Sequence, residues 1–340
     1  MRRHTTGRRL RAGMAGALMI GGLAGCDNVA WGGAEFEWRP PPPKEVVEPE
    51  VTEAPEEVQV PLPEQPVVFL VRRAGGTWQA EPIGEVAGDA LTPLPTEAST
   101  PGFTARYVRE RLVEGREFTL FQGSTRVGRF IAGNEVRPDS MYCQPRPSVS
   151  GLVELIPEVA GRSTFLALPS EHASHLGRGS LPQDEVTRGL GITSYRLVED
   201  LLNARNYRWP PDIAGARADV QALTTSRSEQ PLVASTYLYR DAISVGPAPE
   251  NAYSLFFIGE NQGNGYGTTF VWYRPVDSET KGVPRFLTWG DWDGDGQDEL
   301  LLDVFGSSGR WLAALDRGAQ AREWQVAFQD PCGQPPSAAN

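Results

Sequence analysis

The chain has 340 residues, of which Gly (37) and Pro (29) supply about a fifth, and its 32 basic and 43 acidic side chains leave a net charge of −11. That much Gly and Pro excludes a helical bundle and points to many turns between short strands. The acidic balance excludes nucleic acid as a partner, because no basic excess is available to displace counterions from phosphates.

Residues 1–11 carry Arg2, Arg3, Arg8, Arg9 and Arg11 and no acid, and residues 12–25 are uncharged and mostly apolar. Fourteen residues are too few to span a bilayer as a helix, which takes about 20. A basic stretch, a short apolar stretch and then small residues form a secretory signal. It ends Leu23-Ala24-Gly25-Cys26, which resembles the lipobox of bacterial lipoproteins. The resemblance covers residues 1–26 and implies removal of residues 1–25 and acylation of Cys26. The implied place is the bacterial cell envelope, anchored by lipid and facing the periplasm or the exterior. Cleavage would leave 27 basic against 43 acidic residues, a net of −16, so an anionic bilayer repels the body it anchors.

Residues 26–66 read as a tether. Nine prolines and seven glutamates fall within residues 40–66, with Lys44 as the one cation. Such a segment has little apolar surface to bury and is expected to be disordered and extended. The body then divides into a β-rich region (67–145), a mixed region with helices (146–230) and a β-meander (231–335). Val67–Val71 is an apolar strand, and Gly123-Ser124 joins Glu117–Gln122 to Thr125–Phe130 as a hairpin with a type II′ turn. Ser180, Pro182, Asp184 and Glu185 suit a helix start, and Leu197, Val198, Leu201 and Leu202 make one stripe of a helix over Thr193–Asn206. Pro210-Pro211 stops it, and Ala214–Leu223 is expected to form a second short helix. Strands follow near Leu232–Tyr239, Tyr253–Ile258, Thr268–Tyr273, Arg285–Trp289, Glu299–Phe305, Trp311–Asp316 and Trp324–Phe328. The expected fold is mostly β, of α+β type, with an antiparallel meander.

The most informative motif runs from Asp291 to Glu299, with Asp291, Asp293, Asp295 and Glu299 at positions 1, 3, 5 and 9 of a loop and Gly296 at the turn. Calcium takes six to eight oxygens. Three aspartates at alternate positions of a tight turn converge, and the Gln297 carbonyl and Glu299 carboxylate complete a shell. The other reading is an acidic turn whose carboxylates accept local N–H groups without metal. An EF-hand needs Glu at position 12, which here is Leu302, so the motif is not one. The run resembles the calcium loop of FG-GAP (VCBS-type) repeats. The resemblance covers residues 284–329 and implies a structural Ca2+ site and one four-stranded, propeller-blade-like unit. No second copy of the loop occurs.

With Cys26 assigned to lipid, Cys143 and Cys332 are the pair left for a disulfide in an oxidising compartment. His172 and His175, which follow Glu171 as His-x-x-His, could begin a zinc site but have no third ligand at motif spacing. Ser278-x-x-Lys281 matches a string of penicillin-binding enzymes without its companion motifs. Trp272, Tyr273, Trp289, Trp292 and Trp311 are either core or, if exposed, a platform for a glycan or peptide. The expectation is a non-enzymatic lipoprotein with a binding or structural role toward an envelope protein or glycan. The alternative is an exported hydrolase of envelope polymers.

Overall fold

The computed structural model describes residues 61–88, 90–173, 181, 184–276, 281–317 and 321–333. The signal, Cys26, most of the tether, His175, Ser180 and Ser278 lie outside these residues. Every described strand pairing is antiparallel.

The first layer contains β1 (Val67–Ala74), β2 (Thr77–Ala87), β3 (Ala90–Pro93), β4 (Glu117–Gln122), β5 (Thr125–Asp139), β6 (Arg146–Leu155) and β7 (Thr164–Pro169). Their order is β1-β7-β4-β5-β6-β2-β3, and β1 also pairs with β2, so six strands close into a barrel. Phe69, Val71, Phe118, Phe130 and Phe165 fill its interior. Val68 and Leu70 point the other way and are equally buried, which is why β1 reads as an unbroken apolar run. The barrel reaches Pro169, past the boundary drawn at 145.

Helix α1 (Pro101–Arg111) interrupts the region expected to be all β, and its Phe103 and Tyr107 join the barrel core. Its signals are local: Thr100 caps the Phe103 N–H at 3.3 Å and Pro101 opens the helix. The tether also ends earlier than expected. Leu62 packs on the barrel core, and the Glu85 carboxylate accepts hydrogen bonds from the Glu64 (3.0 Å) and Gln65 (2.8 Å) N–H groups.

Helix α2 (Asp184–Ala204) begins within the start signals expected at Ser180–Glu185, runs unbroken through the stretch from Thr193, and buries the Leu197, Val198, Leu201 and Leu202 stripe. The second expected helix is largely a strand: α3 covers only Ile213–Ala216, and β8 (Arg217–Leu223) follows. Seven residues with two alanines and a leucine suit a helix locally, but the ladder to β9 (Leu232–Tyr239), from Leu223↔Leu232 to Arg217↔Tyr237, decides the outcome. With β10 (Tyr253–Asn261) and β11 (Tyr266–Pro275) these strands form a four-stranded meander. A second such meander follows from β12 (Gly282–Gly290), β13 (Glu299–Gly306), β14 (Arg310–Asp316) and β15 (Gln325–Gln329).

The layers stack. Leu301, Leu312, Ala314 and Phe328 of the β12–β15 sheet face the outside of the barrel. Leu300, Leu302, Val304, Ala313 and Leu315 face the β8–β11 sheet, meeting Leu232, Phe256, Ile258 and Trp272. The other face of the β8–β11 sheet carries α2. The β12–β15 sheet is therefore covered on both faces, and all eight residues of β13 are buried.

Candidate metal centre

The acidic loop joins β12 to β13. Gly294 (φ +84°) and Gly296 (φ +87°) hold left-handed backbone that glycine adopts without strain, and they let the chain fold back on itself. Asp291 then accepts hydrogen bonds from the Gly294 (2.7 Å) and Gly296 (3.1 Å) N–H groups. Asp293 accepts from the Asp295 N–H (3.1 Å), and Asp295 from the Gln297 N–H (2.7 Å) and side-chain amide (2.6 Å). These short-range bonds aim the carboxylates inward. Ligand oxygens of Asp291, Asp293 and Asp295 lie within 4.8 Å of one another.

Between the aspartates, Trp292 turns the opposite way and is buried against the barrel. Its N–H donates to the Glu299 carboxylate at 3.1 Å. Glu299 is 4 % exposed. Burial, and then the charge of Asp293, push its carboxyl up to about 10, with Asp291 and Asp316 adding to the effect. Burial likewise raises Asp293 to about 6, reinforced by Asp295, Asp291 and Asp316. Asp316 was not singled out in the sequence because it ends β14, seventeen residues after Glu299. The pairing of Leu300 with Leu315 brings the two acids to the same end of the sheet. Only strand register supplies that proximity.

Asp298 has a different task. Its carboxylate accepts hydrogen bonds from the Ser124 hydroxyl at the β4–β5 turn and from the Ser226 N–H (2.5 Å) after β8. Gly123 in that turn has φ +60°, as the first position of a type II′ turn requires, and a Cβ there would stand 2.3 Å from the Trp289 ring. Trp289 in turn donates to the Thr224 carbonyl at 3.2 Å. The loop thus sits where the barrel and both meanders meet.

The donor set fits a hard cation. Ca–O distances near 2.4 Å place two ligands of one ion at most about 5 Å apart, and the three aspartates satisfy that limit. Each carboxylate has about four lone-pair sites, so the N–H bonds leave acceptor capacity toward the centre of the loop. Glu299 and Gln297 are both buried beside it, and the Gln297 side-chain oxygen has no hydrogen-bond partner. Among the described residues this is the one group of three or more candidate ligands that converges.

The remaining candidates are placed elsewhere. Glu171 pairs with Arg116; against the opposing effect of partial burial, a backbone hydrogen bond and then the Arg116 guanidinium hold its carboxyl below the usual range, and His172 follows it on the surface. Lys281 is buried, paired with Asp241 at 2.8 Å and donating to the Ala242 carbonyl at 3.0 Å, so it is a structural lysine. Trp272, Trp289, Trp292 and Trp311 are core and Tyr273 is half-buried, which overturns the platform reading for this group. Cys143 and Cys332 are joined, tying the segment before β6 to the chain after β15. Beside them, buried Arg146 pairs with Asp330, which also accepts the Leu312 N–H at 2.8 Å. Compared with known proteins, the chain matches no family model, no curated protein and no solved structure.

Proposed function

We propose that this chain is a lipid-anchored protein of the bacterial cell envelope with a non-enzymatic binding or structural role, and that a calcium ion orders its acidic loop. The address rests on the basic and apolar segments that end at Cys26. The cation rests on one observation: three carboxylates within 4.8 Å, beside a Glu299 whose burial opposes its charge. A divalent cation there offsets both the mutual repulsion and the desolvation, and fastens the junction between the barrel and the two meanders. The FG-GAP resemblance agrees with a structural ion. Asp291, Asp293 and Asp295 would hold it, with Glu299 and the Gln297 carbonyl completing the shell.

A melting experiment tests this reading. Ligand that binds only the folded state at about 100 Kd adds about 2.7 kcal/mol, so calcium returned after chelation should raise Tm by a few degrees. Asp295→Ala should remove most of the rise, and magnesium should substitute poorly because it demands octahedral geometry and gives up water reluctantly. A Tm unmoved by millimolar calcium, with no metal by elemental analysis, reduces the loop to an acidic turn. The address is checked separately: the wild type should take up labelled fatty acid, and Cys26→Ser should not.

A further inference from the structure

We propose that the groove between α2 and the Trp209-Pro210-Pro211 segment binds a neutral glycan of pyranose units. The inference depends on the reading of the chain as a binding protein and not on the cation loop. Trp209 is 45 % exposed, whereas Trp78 is half-buried and the other described tryptophans are buried. An indole left in water on a rigid support is a common centre of a binding surface.

The support is firm on both sides of Trp209. The Tyr253 hydroxyl donates to the Arg208 carbonyl at 2.6 Å, and Tyr207 stacks on Tyr273 with centroids 3.7 Å apart. Pro210 is buried and Pro211 fixes the backbone that leads into the Asp212 cap of α3. A group held this way loses little entropy when a ligand arrives. The groove has a volume of about 430 Å³ and is lined by Tyr195, Glu199, Trp209, Pro211, Asp212 and Ile213 among others. Ile192, 73 % exposed, lies one turn before Tyr195 and extends the same face of α2.

Charge narrows the occupant. Two carboxylates and no basic side chain line the groove, which excludes anionic ligands. The Arg217 guanidinium already stacks on Tyr195 at 4.2 Å, held by the Gly191 carbonyl at 2.7 Å, so that ring is taken and Trp209 is the aromatic face left for a ligand. What fits is a flat neutral molecule with an apolar face and outward hydroxyls. The C–H face of a pyranose stacks on the indole, and its hydroxyls donate to Glu199 and Asp212.

The test uses the full chain in detergent, titrated with hexasaccharides of β-1,4-linked glucose, β-1,4-linked N-acetylglucosamine and α-1,4-linked glucose, with hexalysine and hexaglutamate as controls. At least one neutral sugar should change tryptophan fluorescence saturably. Trp209→Ala should weaken that binding by about tenfold or more with Tm unchanged, and Glu199→Gln by several-fold. The proposal is overturned if no neutral sugar binds at about 10 mM, a decade weaker than a millimolar site, if Trp209→Ala binds as the wild type does, or if hexalysine alone binds. Repeating the titration with calcium chelated separates it from the metal reading, since the groove residues take no part in the acidic loop.

Discussion

Two consecutive four-stranded meanders build the C-terminal half of the body, and they differ in what they touch. The β12–β15 sheet is buried on both faces, and its β13 is buried throughout. The β8–β11 sheet is buried on one face by its neighbour and on the other by α2 and a row of tyrosines, including Tyr207 on Tyr273 and Tyr253 on Tyr239. Their first connections also differ. The β12–β13 loop carries the aspartates, while the β8–β9 loop supplies the Ser226 N–H that Asp298 accepts. A meander of this shape therefore forms without an acidic loop. The loop's distinctive contribution is to a junction between layers.

The disulfide sharpens this comparison most. It ties the end of the β12–β15 sheet to the barrel and closes a separation of 189 residues, which the chain-entropy model makes worth roughly 5 kcal/mol. Cys143→Ser with Cys332→Ser should lower denaturant stability by up to that amount, and hydrogen exchange should rise first in β15 rather than in β8–β11. Next comes the core. Leu302→Ala, between the two sheets, should cost about 2–5 kcal/mol in urea unfolding. Val271→Ala, half-buried on the tyrosine side of β11, should cost less, and equal losses would contradict the difference in burial. Asp298→Ala leaves the Ser124 hydroxyl and the Ser226 N–H without their acceptor and should cost about 1–3 kcal/mol in the absence of calcium. Asp295→Ala, on the more exposed side of the same loop, should have a smaller effect until calcium is added.

The elements read correctly along the chain were those whose evidence is local or repeated. The hairpin at Gly123-Ser124, the leucine stripe of α2 and the strands of the β12–β15 sheet each carry their pattern within about ten residues. The capping signals of α1 were equally local, but the surrounding β pattern hid them. The stretch 217–223 suits a helix through its alanines, while the partner that makes it a strand is β9. In the acidic loop, the alternation of Asp291, Asp293 and Asp295 was legible because a tight turn makes alternate residues converge. The contributions of Asp316 and Asp298 were not legible, since each depends on a strand or loop distant in sequence.

By itself, then, the sequence determined a mostly β body behind a Pro- and Glu-rich segment, the pair of cysteines available to join, and an acidic turn bounded by strands. These follow from composition, periodicity and glycine placement, which act within one or two turns of chain. Only the tertiary structure decided that six strands close into a barrel, that the meander tryptophans are core while Trp209 is exposed, and that the acidic loop stands where three sheets meet. Those outcomes depend on which faces find apolar partners across the stack, and apolar residues carry no label for the partner they will meet.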